Sequence, residues 1–233
     1  MNTIKKIRYK YETKEFGKID IHLRTLRDKN EFSDDDKEAE NLGISSATWS
    51  LFGVVWPSSE VLANVMYEYD TSDKKILEIG CGIGLTSLLL NRQNADITAT
   101  DYHPEAGRYL LENTKLNKDE EIPFVRASWE DNFDSELGKF DIIVGSDLLY
   151  ERDHAEVLSN FINEHANPKC KVILVNPNRG YQSKFTDAMG EFGFVCTSFT
   201  ITKTDYLEDP YKGKVFQYTR EYKDEVSQLE EIL

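Results

Sequence analysis

The stretch Lys75-Ile76-Leu77-Glu78-Ile79-Gly80-Cys81-Gly82-Ile83-Gly84 decides the fold. Its first half is a short, nearly continuous apolar run, which reads as a strand buried on both faces. The run stops at three glycines in alternate positions. Lacking Cβ atoms, they let the chain turn sharply and let a ligand approach the backbone. Residues 85–90 follow as a helix, whose first amides have no partner within the helix and face that turn.

Outward from this unit, strand-like and helix-like segments alternate. Pro57 opens a helix with Ser58 or Ser59 as its cap and Val61, Leu62, Val65, Met66 and Tyr69 on one face. Residues 97–100 read as a strand ending at Asp101. Pro104 starts a helix in which Ala106, Tyr109, Leu110, Asn113 and Leu116 recur at helical spacing. A weak strand over 123–127 and a strong one over 140–145 follow. Asp153-x-x-Glu156 resembles a capping box ahead of a helix bearing Val157, Leu158, Phe161 and Ile162. Residues 171–175 form another buried strand and 185–192 belong to the helix after it. Residues 194–202 and 214–218 are rich in strand formers with no helix between them, which predicts an antiparallel pair at a sheet edge.

The pattern predicts an α/β fold: a Rossmann-like, seven-stranded, mostly parallel sheet with helices on both faces and a terminal antiparallel hairpin. Two short strands around 7–12 and 19–26, with Gly17 between them, add a small N-terminal β extension. Residues 1–45 are assigned to that extension and 46–233 to one domain. The acidic run over 33–40 reads as a solvated loop or helix start. In such a sheet, ligands bind beyond the carboxyl ends of the strands near the switch point. The residues that end strands one, two and four of the large sheet are therefore the candidates.

The bulk properties narrow the function. A chain of 233 residues can bury a substantial core without disulfides or metals. Its three cysteines, Cys81, Cys170 and Cys196, are far apart and predict neither a disulfide framework nor a metal site, so a reduced, cytoplasmic setting is expected. No apolar run reaches a membrane span, and the N-terminus does not read as a signal peptide. The net charge of −14 argues against a nucleic-acid partner and suits a cationic one, although it also serves solubility. A monomer is the default expectation.

Asp101 lies 17 positions after Gly84 at the tip of an apolar strand. A carboxylate there can accept both ribose hydroxyls of an adenosine, in dinucleotide and S-adenosylmethionine folds alike. The dinucleotide fingerprint spaces its glycines G-x-G-x-x-G/A; counted from Gly80 its third position is Leu85, and from Gly82 it is Ser87. S-adenosylmethionine has no pyrophosphate and does not need that spacing.

Glu78-x-Gly80-x-Gly82-x-Gly84, Asp101 and the terminal antiparallel pair resemble class I, seven-β-strand methyltransferases. More narrowly, Val55-Trp56-Pro57, Trp129 and Gly145-Ser146-Asp147-Leu148-Leu149-Tyr150 resemble the protein-lysine methyltransferases with an Asp-x-x-Tyr motif. Those that modify the β-subunit of electron-transfer flavoprotein are especially similar: Val175-Asn176-Pro177-Asn178-Arg179 matches their Asp-Pro-Gly-Arg stretch except at Asn176 and Asn178. The resemblance covers roughly residues 50–220.

This resemblance implies an S-adenosylmethionine-dependent N-methyltransferase acting on a protein lysine, with a small-molecule amine or non-catalytic cofactor binding as alternatives. It implies that Glu78 orients the glycine loop and the methionine amino group, that Gly80, Cys81, Gly82 and Gly84 line the cofactor, and that Asp101 holds the ribose. Tyr102, Ser128 and Trp129 would frame the adenine, Trp56 and Ser146 would border the cofactor, and Asp147 and Tyr150 would face the acceptor amine. Cys81 lacks a histidine partner and is not read as a nucleophile. His22, His103, His154 and His165 have no metal-ligand spacing and read as surface or packing residues, and no metal is expected.

Overall fold

The computed structural model describes residues 7–32, 34–46, 48–130, 137–178 and 180–221. The chain opens with a hairpin, β1 (Tyr9–Phe16) and β2 (Ile19–Leu26), and a one-turn helix α1 (Glu38–Asn41). A 3-10 turn (Leu51–Gly53) leads into α2 (Pro57–Tyr67). Strands and helices then alternate: β3 (Lys75–Ile79), α3 (Leu85–Arg92), β4 (Asp96–Asp101), α4 (Ala106–Asn117), β5 (Phe124–Arg126), β6 (Phe140–Ser146), α5 (His154–His165), β7 (Ala166–Asn176) and α6 (Gln182–Glu191). Strands β8 (Val195–Thr200) and β9 (Lys214–Arg220) close the fold.

The seven-stranded sheet runs β5-β4-β3-β6-β7-β9-β8. β3 through β7 are mutually parallel; β9 pairs antiparallel with both β7 and β8. The expected Rossmann-like α/β sheet and terminal antiparallel pair are both present, with β9 inserted between β7 and β8. Period-two alternation divides the strands between two cores. Ile76, Ile142, Val144, Ile173 and Val175 face one, shared with α2, α3 and α4; Leu77, Ile79, Ile143, Val172 and Leu174 face the other, shared with α5 and α6. Among the described residues no helix is long and apolar enough to cross a membrane.

Several local expectations need correction. Neither Ser58 nor Ser59 caps α2: Pro57 is already its first residue, Trp56 is the cap position, and the Ser59 hydroxyl donates to the Trp56 carbonyl at 2.8 Å. Pro104 lies in the turn before α4 rather than in its first turn. Asp153 precedes α5, but its carboxylate makes no cap bond; only its carbonyl receives the Glu156 amide. On α4, Leu116 is 38% exposed, whereas Asn113 and Asn117 are buried.

Those two asparagines fasten the hairpin. Paired residues His22 and Arg24 turn their backbone groups away from β1. Asn117 accepts the His22 amide at 2.9 Å and donates to the His22 carbonyl at 2.7 Å. Asn113 accepts the Arg24 amide at 2.7 Å and donates to the Arg24 carbonyl at 3.3 Å. Four residues of helix advance about 6 Å and two residues of strand about 6.8 Å, so the carboxamides stand in register with the strand. Phe16, Ile21, Leu23 and Leu26 of the hairpin join the α2–α4 core.

Candidate functional site

β3 and β6 are neighbours, with Ile79 beside Gly145, and the chain leaves them in opposite directions across the sheet. A crevice at their carboxyl ends is the expected ligand position for this topology. The glycine loop forms one wall. Gly80, Gly82 and Gly84 all have left-handed φ, between 56° and 77°. At Gly82 the close approach is explicit: a Cβ would lie 2.9 Å from the Phe52 carbonyl oxygen. The Cys81 amide donates to the Thr100 carbonyl at 2.9 Å, tying the loop to β4.

Asp101 fixes the same wall. One carboxylate oxygen accepts the Gly82 amide and the other the His103 amide, each at 2.8 Å. Each oxygen keeps capacity for a further donor, as a ribose diol requires. Tyr102 is 39% exposed, and its hydroxyl donates to the Leu42 carbonyl at 2.6 Å. Glu78 is 3% exposed and turns into α3, where it accepts the Ser87 amide at 2.8 Å and the Ser87 hydroxyl. Burial lifts its pKa to about 7, against the hydrogen bonds from Ser87. Burial also pushes the Cys81 thiol well up, which keeps it protonated and inert.

The 3-10 turn covers this wall. Phe52 stacks on His103 with ring centres 3.9 Å apart, and meets Phe32 and Tyr109 edge-on at 5.4 and 4.9 Å. The Glu105 amide donates to His103 Nδ1 at 3.2 Å, so the ring proton sits on Nε2. Burial lowers the His103 pKa to about 4. Trp56 donates its indole N–H to the Leu51 carbonyl at 2.8 Å, which orients it at the end of the turn.

The opposite wall begins where β6 ends. Ser146 pairs with Val175, and the Asp147 amide donates to the Val175 carbonyl at 2.9 Å. Asp147 itself has φ 54°, a left-handed turn that ends the strand. Leu148 and Leu149 then bury, while Tyr150 is 42% exposed, so it is not the core aromatic an apolar run could have made it. Leu148 joins the walls: Cβ atoms at Gly80 and at Gly145 would each lie 2.6 Å from one of its methyls. Trp129 reaches within 3.9 Å of the same point beside Gly80. Ser128 accepts the Glu130 amide at 3.2 Å.

His154 was legible only as a surface or packing residue, yet it organises this wall. Its Nδ1 donates to the Leu148 carbonyl at 2.8 Å, and its ring meets Tyr150 and Trp129 edge-on at 4.6 and 5.2 Å. The one available signal was its position four residues after Tyr150, on the first turn of α5. The glycines, Asp101 and Tyr102 thus form one wall, with Glu78 turned behind it into α3. Ser146, Asp147, Tyr150 and Trp129 form the other.

A sequence profile described as lysine methyltransferase matches residues 37–192. The chain belongs to the lysine methyltransferase family. Among the relatives of this lysine methyltransferase family member, protein-lysine methyltransferase METTL21E of Bos taurus is 32% identical over 143 residues, covering 56% of this chain and 49% of that protein. The electron transfer flavoprotein beta subunit lysine methyltransferase of Mus musculus is 27% identical over 167 residues, covering 69% and 61%. The matched region spans about half the length of several of the relatives found. A 16S rRNA N2 G1207 methyltransferase from T. Thermophilus, solved with AdoMet and guanosine, superposes with TM-score 0.64 at 17% identity, over 91% of this chain and 50% of that one. At that identity the likeness establishes the fold of this family member and nothing finer.

Proposed function

We propose that the chain transfers a methyl group from S-adenosylmethionine to the side-chain amine of a lysine in a protein. The observation that carries this reading is the meeting of two walls at adjacent strand ends, with Leu148 seated against both Gly80 and Gly145. The residues present fit the cofactor. The glycine loop takes left-handed turns that other residues rarely adopt, packed tightly on Leu148, Phe52 and Leu110, and Asp101 offers two oxygens with acceptor capacity to spare. When bound, S-adenosylmethionine supplies an electrophilic methyl group on a sulfonium sulfur, which an amine lone pair takes in line.

In this reading Asp101 and the glycine loop hold the nucleoside, with Trp56, Cys81, Tyr102, Ser128, Trp129 and Ser146 around it. Glu78 acts through Ser87 by holding the first turn of α3. Asp147 and Tyr150 receive the acceptor. A free lysine has a pKa near 10.4 and is protonated; enclosure beside positive charge favours loss of that proton. The exposed Tyr150 ring holds the ammonium before that proton is lost to solvent; Asp147 and the Tyr150 hydroxyl then hydrogen-bond the amine's N–H groups, so the lone pair is aimed and the gain is one of positioning. The net charge of −14 supports a cationic protein over a nucleic acid as partner, and the free cysteines support a reducing, cytoplasmic setting.

The test is incubation of cell extract with the chain and S-adenosylmethionine labelled in its methyl group. Label should resist nuclease, be released by protease, and be recovered as methyl-lysine. Asp147→Ala and Tyr150→Phe should lose on the order of 100-fold in rate while keeping cofactor binding. Label confined to small molecules, or wild-type rates in either variant, refutes the corresponding part of the proposal.

A further inference from the structure

Tyr150 and the three residues after it lie between β6 and α5, in neither helix nor strand, and all four are exposed. An exposed side chain on such a stretch has several staggered rotamers open to it. A ring that is to meet an incoming amine in one place must lose that freedom beforehand. His154, the first residue of α5, stands where it can impose the loss. Its ring meets the Tyr150 ring edge-on, with centres 4.6 Å apart and planes at 76°, an arrangement that aromatic pairs prefer.

A ring can hold another only if it is held itself. The His154 side chain is 17% exposed. Its Nδ1 donates to the Leu148 carbonyl at 2.8 Å, and Trp129 meets its ring edge-on at 5.2 Å. Glu151 Oε2, 3.6 Å from Nε2, is too far for a hydrogen bond. The carbonyl bond closes the chain from Leu148 to His154 into a loop, and Leu148 is the residue seated against both Gly80 and Gly145. We infer that His154 is a positioning residue for the methyl acceptor: it fixes the Tyr150 ring by edge-on contact, and refers that ring through Leu148 to the two walls together. A phenyl ring would offer the edge without the donor, and a carboxamide the donor without the ring; imidazole has both.

The inference rests on the role proposed above for Tyr150, and its test separates the two. Plateau rates of label transfer from S-adenosylmethionine into extract protein are measured for the wild-type chain, His154→Ala, His154→Asn, Tyr150→Ala and the double alanine variant. More enzyme is used for the last two so that both rates are measurable. His154→Ala should lose at least tenfold. His154→Asn keeps a donor at the place of Nδ1 but no ring, and should fall within threefold of His154→Ala. Because His154 acts through Tyr150, replacing it in the Tyr150→Ala chain should cost less than threefold more; contacting residues couple in this way, whereas a general loosening of the wall would add in either background. A His154→Ala or His154→Asn rate within threefold of wild type overturns the inference. So does a tenfold loss that persists in the Tyr150→Ala chain. If His154→Ala does not fold, His154→Asn is read by the same criteria, alone and in the Tyr150→Ala chain, and loss of folding in both makes the residue structural and overturns the assignment. Tyr150→Ala at the wild-type rate, or a wild-type chain that transfers no label, removes the reading of Tyr150 and this inference with it.

Discussion

Asp101 and His103 show how single side chains in this fold serve two neighbours at once. Asp101 braces the glycine loop through Gly82 and the following turn through His103, and in the proposed function its remaining acceptor capacity takes the ribose. Asp101→Ala should therefore abolish the rise in thermal midpoint caused by S-adenosylhomocysteine, a rise worth about 2.7 kcal/mol at 100 times Kd in the wild type. NAD should give no rise with either protein; a shift with NAD alone would sink the cofactor assignment. His103 predicts a pH effect whose sign is fixed by its direction of shift. The folded state keeps it neutral down to about pH 4, whereas the unfolded chain protonates it near its ordinary 6.5. Its contribution to stability is thus present above about pH 6.5 and is lost as pH falls toward 4. His103→Phe keeps an aromatic ring against Phe52 and cannot take a proton. Its thermal midpoint should fall less than that of wild type between pH 7 and 5, and parallel curves would contradict the argument.

At the scale of elements, the hairpin gives the sharpest test. Removing Asn113 or Asn117 leaves a main-chain N–H and C=O of β2 without partners at a partly buried contact. Each alanine variant should lose about 1–3 kcal/mol, read from the denaturant midpoint, and protease should cut β1 and β2 sooner. A loss within the ±0.5 kcal/mol typical of surface changes would mean that apolar packing alone holds the hairpin. The same helix shows what the sequence could and could not reveal. Strand β3, its glycine turn and Asp101 were legible because an apolar run and three glycines have few other uses. The hairpin strands were legible from alternation. Asn113 was read merely as one more member of a periodic face, because periodicity reports which side is buried and not which polar groups meet there. For the same reason the role of His154 was out of reach: its ring partners are Trp129, remote in sequence, and Tyr150, whose approach depends on the turn at Asp147. The caps expected at Ser58, Ser59 and Asp153 failed because the backbone enters α2 and α5 by other geometries.

Across the whole molecule, two cores grip one sheet, and both candidate walls rise from its carboxyl edge. The net charge of −14 extends an attractive field toward cationic proteins. Salt screens such a field to about 10 Å at 0.1 M. Raising salt from low to physiological strength should slow label transfer at limiting extract concentration and leave the midpoint rise with S-adenosylhomocysteine unchanged. A rate indifferent to salt would reduce the charge to a matter of solubility. One feature of the architecture bears on how such a protein changes over generations. The carboxamides of Asn113 and Asn117 grasp only main-chain atoms of His22 and Arg24, which every residue except proline supplies alike. The fastening is blind to the letters it holds, so the outward side chains of the hairpin can be rewritten for a new partner without the hairpin coming undone.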